Sequence, residues 1–430
     1  MLRKACYICF ALLVSLAFVA CGSTSSKSSS TNPTAGNPPA GSGGGAGSGS
    51  QPGGSSGGSS GGSSSGGSGG SGGSSGGSTG GGTSSAATTA HFAWVYNTSG
   101  STITGFTVDQ NTGALTPMSG SPFAAPSQGS GLVATGGYMY AAGGLPPSTI
   151  IQSYQIGSDG RLTPAASTPA GNVWQNLFVH SSGKFIYAAS LRGDVLGYQI
   201  TAPGQLTPIS GLPQSVGPDL QIALSPDGKW AFASHQQTSN GGSAIETYAI
   251  DSTTGKWSLD VYPGSPMHVG GVPPQAGRQP TQIHLTVDPA SKFLFAADPY
   301  ESTVSSFRIG SDGSLTVAGS VSAPPSVPFS LAATSNFAYF GDFDQAKLYG
   351  YAFTSGTLTP TPGSPYANVM APAYSMTLDP TGQLLYVANN DPGSISVWKI
   401  GSDGSLSQIS GSPFQTTEMH GNNPMWVVLQ

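Results

Sequence analysis

Gln221-Ile222-Ala223-Leu224-Ser225-Pro226-Asp227-Gly228-Lys229-Trp230-Ala231-Phe232-Ala233-Ser234 reads as a short apolar strand, a turn and a second strand. The turn is carried by Ser-Pro-Asp-Gly, residues whose backbone preferences suit a tight reversal. Downstream, Ala244 to Ile250 alternates as a half-buried strand does, with Ile245, Thr247 and Ala249 interleaved with Glu246, Tyr248 and Ile250. Lys256 to Val261 then supplies a fourth strand, and no helical period appears anywhere in this stretch.

The same unit recurs on both sides. Its most regular mark is Gly-x-Leu-Thr-Pro or a variant, whose Leu falls at Leu115, Leu162, Leu206, Leu315, Leu358 and Leu406, with Trp257 in the copy quoted above. The spacings are 47, 44, 51, 58, 43 and 48 residues. A period near fifty with four short strands per unit predicts an all-β, seven-bladed β-propeller of four-stranded blades. His91 to Tyr96 enters the pattern as a second strand with no first strand before it, while Asn423 to Leu429 reads as a first strand with nothing after it. The C-terminal strand is therefore expected to complete the first blade and close the ring, which removes open sheet edges. Turns between first and second strands and between third and fourth strands are short and alike. Function is expected on the opposite face, where the connections vary in length.

Composition divides the chain. Of 430 residues 65 are Gly and 34 Pro, but positions 22 to 90 are almost wholly Gly, Ser and Thr, and only 91 to 430 can bury a core. That segment holds all 18 acidic residues against 10 basic ones, which argues against nucleic acid as a partner. The three cysteines, Cys6, Cys9 and Cys21, precede it, so it carries no disulfide and no thiolate metal site. Residues 1 to 20 read as a signal peptide, with Arg3 and Lys4 ahead of an apolar run too short to span a bilayer comfortably. Phe18-Val19-Ala20-Cys21-Gly22 resembles a bacterial lipobox, which implies lipidation at Cys21. Gly22 and Ser23 then imply the outer membrane or cell surface. Residues 21 to 90 form a flexible tether about 40 to 50 Å in r.m.s. span. The expected contact with the membrane is this anchor alone, and the domain is expected to be a monomer.

Leu384-Leu385-Tyr386-Val387-Ala388-Asn389-Asn390, Gly404-Ser405-Leu406 and Gly411-Ser412-Pro413-Phe414 resemble the lactonase or YVTN-type seven-bladed propellers across all seven blades. The resemblance implies lactone chemistry of the 6-phosphogluconolactonase kind. Catalytic members carry His-Pro-His before one first strand, Arg-His at the next and then a Glu. In this sequence Gly217-Pro218-Asp219-Leu220 lacks the first histidines. His284 takes the later His position, Ile283 stands in place of Arg, and the Glu position falls near Pro299 with Glu301 two residues on.

The candidate catalytic set is therefore His284 as base, Arg278 as anion grip and Glu301, helped by Asp298, on water. Asp298, Asp342, Asp344, Asn390 and Asp391 on successive loops, with His235, form a candidate ligand-binding set. Their oxygens suit sugar hydroxyls, and a channel Ca²⁺ is compatible with them although no cofactor is required. Two functions follow: a binding module for a glycan, cell-wall component or protein, or a lactone hydrolase. Asp159, Asp312 and Asp403 in Ser-Asp-Gly turns read as turn formers. The recurring Phe123, Tyr366 and Phe414 read as packing between blades.

Overall fold

The alternation of the repeat becomes antiparallel pairing throughout. In the computed structural model the fourth copy forms strands Gln221–Leu224, Trp230–Gln236, Ser243–Ile250 and Trp257–Leu259, joined in that order into one sheet. The structure describes residues 91 to 430 except 172, 191, 213, 219, 237–242, 260–265, 270–282, 300, 323–326, 344, 368–372, 391–392 and 417–423. The leader, Cys21, the Gly/Ser tract to residue 90, Arg278, Asp344 and Asp391 lie outside the described residues.

Seven such sheets form the ring. Their innermost strands, from the first blade to the seventh, are Pro424–Leu429, Gly131–Thr135, Val173–Val179, Gln221–Leu224, His284–Val287, Pro328–Ala333 and Ala373–Leu378. Each touches the next, and the seventh returns to the first. The closing strand pairs antiparallel with Phe92–Asn97, placing Val428 opposite Trp94 and Trp426 opposite Tyr96. The expected seven-bladed propeller with C-terminal closure is the fold observed.

The signature Leu has a packing reason. Leu115, Leu162, Leu206, Trp257, Leu315, Leu358 and Leu406 each sit opposite an apolar residue at or near the end of the preceding strand: Val108, Ile156, Ile200, Ile250, Ile309, Phe353 and Ile400. All seven are buried. The core is accordingly not one mass. The described buried apolar residues fall into seven clusters, each drawn from two adjacent blades, such as Phe185 and Tyr187 of the third with Tyr248 and Trp257 of the fourth.

One difference from the sequence reading is a fifth short strand in five blades: Phe123–Ala124, Gln214–Ser215, Met267–Val269, Tyr366–Ala367 and Phe414–Gln415. Each pairs with the start of its blade's third strand. Two or three residues are too few to show alternation, which is why the sequence did not reveal them. Phe123, Tyr366 and Phe414 do lie in the clusters between blades.

A hydrogen bond also crosses most blade boundaries. The middle of the second strand carries Trp94, Tyr187, Tyr339 or Tyr386, and each donates to the carbonyl of a Gly in the third-to-fourth-strand turn of the following blade. The acceptors are Gly160 (3.1 Å), Gly255 (2.7 Å), Gly404 (2.9 Å) and, across the closure, Gly113 (3.3 Å). Where the fifth blade has Phe295 instead, the Ser306 hydroxyl donates to Gly356. Gly404 needs to be glycine on two counts. Its φ of +80° is left-handed, and a Cβ there would lie 2.4 Å from the Phe337 ring of the preceding blade.

The short turns are held from within. Asp379 accepts the N–H groups of Gln383 and Leu384, both at 2.8 Å, and Asp288 plays the same part for Lys292 and Phe293. Asp312 and Asp403 each accept the following Ser main-chain N–H and hydroxyl, as turn formers should. Gly404→Ala is expected to lower unfolding free energy by about 2 to 4 kcal/mol, from the φ penalty and the clash together. A denaturant midpoint close to the parent's would contradict this account of the seam.

Candidate functional site

At the long-loop end of the channel, the inner strands of the fifth, sixth and seventh blades begin with His284, Pro328-Phe329 and Ala373-Tyr374. The His284 ring lies 4.2 Å from the Phe329 ring, centroid to centroid, and Phe329 lies 5.0 Å from Phe343 and 5.1 Å from Tyr374. Four rings from three blades thus converge at one sector of the mouth.

Main-chain ties hold these strands in place. The Ser234 hydroxyl donates to the carbonyl of Ile283 at 2.8 Å, fixing the residue before His284 to the fourth blade. Ser330 donates to Ala373 at 3.1 Å, and the Phe343 N–H donates to Val327 at 2.9 Å. The aromatic positions therefore belong to strand ends, which hold geometry better than free loops do.

His284 is partly exposed as a residue, but its Nε2 is buried and has no hydrogen-bond partner. Loss of water around the ring disfavours its charged form and lowers its pKa from 6.5 to about 4. At neutral pH it is an uncharged imidazole with an unsatisfied nitrogen. Ser375, next along the inner strand from Tyr374, likewise has a buried hydroxyl with no partner.

The other sequence candidates are placed as follows. Asp298, which follows His284's register partner Ala297, is 4% exposed, and its Oδ1 accepts the Glu301 N–H at 3.1 Å. Asp342 is fully buried, with Oδ1 accepting the Gln345 N–H at 2.8 Å. Both carboxylates thus spend an oxygen on shaping the loop that follows the second strand. Asn389, at the equivalent place, turns its amide onto Ser396 (2.8 Å) and Ser394 (3.3 Å), and Asn97 bonds Thr104 (2.8 Å) in the same way. Asn390 follows on the turn, half-buried, and Glu301 is partly exposed beside Asp298.

His235 lies in a different sector, between the third and fourth blades. Its Nε2 is 3.4 Å from Glu246, which also accepts a short hydrogen bond from Tyr248. Burial would raise the Glu246 pKa, but bonds from His235 and Tyr248 and the charge of His235 outweigh it and leave it lowered. His235 and His284 therefore do not form one constellation. Among the described residues, no group of three or more His, Cys, Asp or Glu side chains is placed to hold a metal ion.

Sequence reasoning missed Phe329, Phe343, Tyr374 and Glu246. The signal was available as a departure: Val327-Pro328-Phe329-Ser330 and Ala373-Tyr374 put rings where the first strands of the second and fourth blades begin with Gly131 and Gln221.

Residues 87–219, which span the first three blades, match the family model for the lactonase seven-bladed β-propeller. The comparison with curated proteins gave no match. Among solved structures, a candidate 6-phosphogluconolactonase of Bacteroides fragilis aligns with TM-score 0.61 and 20% identity over 80% of this chain and 98% of its own. One from Bacteroides uniformis aligns at 0.62 and 21% over 78% and 98%, and the Pseudomonas aeruginosa periplasmic gluconolactonase at 0.60 and 17% over 78% and 98%. At such identities the structural likeness is one of fold. The chain therefore resembles the lactonase propellers in sequence over residues 87–219, and around the whole ring its fold is that of a seven-bladed β-propeller.

Proposed function

We propose that the protein binds an uncharged ring ligand, a sugar or sugar-lactone unit, at the loop-face mouth of the channel. The observation that carries this reading is the buried, unpartnered Nε2 of His284 against the Phe329, Phe343 and Tyr374 rings. A buried polar atom left without a partner costs roughly 1 to 3 kcal/mol, and a ligand hydroxyl or carbonyl would recover that cost. The aromatic rings supply the apolar wall that such pockets pair with a few polar groups.

Charge supports a neutral ligand. Arg161, Lys184, Lys229, Lys256, Lys292, Arg308 and Lys399 all sit at the short-turn ends of strands. Among the described residues Arg192 and Lys347 remain at the loop face, against Asp194, Asp298, Glu301 and Asp342. Asp298 and Asp342 are buried, so the accessible charges named here balance and offer a phosphorylated or carboxylated substrate no net cationic grip.

Lactone hydrolysis is the second reading, favoured by the fold relatives named as lactonases and by Glu301 and Asp298 in the same blade as His284. Against it stands basicity. A general base works best with a pKa near the operating pH, and burial has weakened His284 well below that.

Titration of the protein with sugars and lactones, alongside proton-release assays, separates the two. We expect binding that weakens about tenfold in His284→Ala, with no hydrolysis above the spontaneous rate. Hydrolysis that disappears in His284→Ala would replace the binding reading by the enzymatic one.

A pH test follows from the same nitrogen. The folded His284 pKa lies below the unfolded value, so between about pH 6.5 and 4 the unfolded chain binds more protons. This group's contribution to stability therefore declines as pH falls through that window, and His284→Gln should make the urea midpoint less pH-dependent there. We also read Cys21 as lipidated and the domain as exported on its tether. Cys21→Ser should move the protein from the membrane fraction to the soluble one, and an unchanged distribution would remove the anchor from the account.

A further inference from the structure

Blades five and six meet unevenly on their outer sides. The fourth strand of blade five is an unbroken Leu315–Ser322, whereas blade six has Thr357–Pro360, then a turn, then Tyr366–Ala367. The two blades are in close contact at Gly319 and Gly356, where a Cβ on Gly319 would fall 2.9 Å from the Gly356 carbonyl oxygen. Further along, at Ser322, a cleft of about 390 Å³ separates them. It is lined by Ser322, Tyr349, Tyr351, Pro360, Ser364 and Pro365, with no charged side chain among them.

The two tyrosines are the informative residues. Tyr349 is 4% and Tyr351 6% exposed, and both rings lie nearly parallel to Phe340, at 4.7 Å and 7° and at 5.6 Å and 12°. Buried phenols ordinarily find a hydrogen-bond partner. Tyr187, Tyr339, Tyr366 and Tyr386 do so on main-chain carbonyls. The hydroxyls of Tyr349 and Tyr351 have no protein partner among the described residues and are not buried atoms, so their rings are buried while their oxygens are open at the cleft. Burial raises the pKa of both, so they remain protonated donors.

We infer that this cleft is a second binding site, separate from the channel mouth, for a single uncharged pyranose unit. Aromatic and proline walls match the CH faces of a sugar ring, two phenols and Ser322 match its hydroxyls, and the absence of charge suits a neutral sugar. The volume lies at the small end of ligand pockets, which limits the occupant to about one ring.

Saturation-transfer NMR on the full-length protein carrying His284→Ala, which impairs the mouth, with methyl glucoside, N-acetylglucosamine and phenol as probes tests this. We expect transfer to at least one sugar, and binding about tenfold weaker when Tyr349→Phe/Tyr351→Phe, which keeps the rings, is added to this background. Ser322→Trp, at an exposed position on the edge strand, should block the cleft without depending on how the double variant folds. Transfer to phenol alone, transfer to no probe, or sugar binding that survives both cleft variants would each overturn the inference. Loss in His284→Ala alone would assign the sugar to the mouth instead.

Discussion

The bond from the second strand of one blade to the turn glycine of the next is the constraint on which the rest of the ring depends. A sheet with apolar faces must bury them against another element, and no blade here does so by itself. Every described cluster is shared by two neighbours, so each blade is stable only if both flanking blades are present. Non-directional packing would tolerate a blade sliding or rotating. Bonds such as Tyr339 to Gly404 add direction and fix the offset between sheets. The last of them, Tyr386 to Gly113, spans the closure and joins residues far apart in the chain.

Most of this frame could be read from the sequence because it repeats. The recurring Leu marks the start of each fourth strand, and the missing first strand at residue 91 points to its replacement at 424 to 429. Function was less readable for the same reason. Asp298 and Asp342 looked like ligands because acids recur on successive loops. In the structure that recurrence reflects a shared structural task, accepting an N–H of the loop that follows. Asn97 and Asn389 do related work with an amide in place of a carboxylate.

The mouth is informative where the repeat breaks. Phe329 and Tyr374 disrupt the pattern at strand starts, and His284 carries a buried nitrogen that the fold itself does not satisfy. Neither feature can be derived from periodicity, since periodicity reports what the blades have in common. His284 did stand out in sequence through its place in the family pattern, while its aromatic neighbours come from blades that are distant along the chain.

The pairing of Phe92–Asn97 with Pro424–Leu429 also sets an order of events. His91 and Phe92 both donate to the carbonyl of Gln430, at 2.8 and 2.9 Å, and the innermost strand of the first blade is made after every other described strand of the ring. Until it emerges, the first blade presents its second strand as an open edge while six other blades have assembled behind it. Vectorial synthesis therefore delivers an incomplete ring by necessity. The final six-residue strand decides whether the molecule ends as a closed disc or as a sheet edge available to any passing strand.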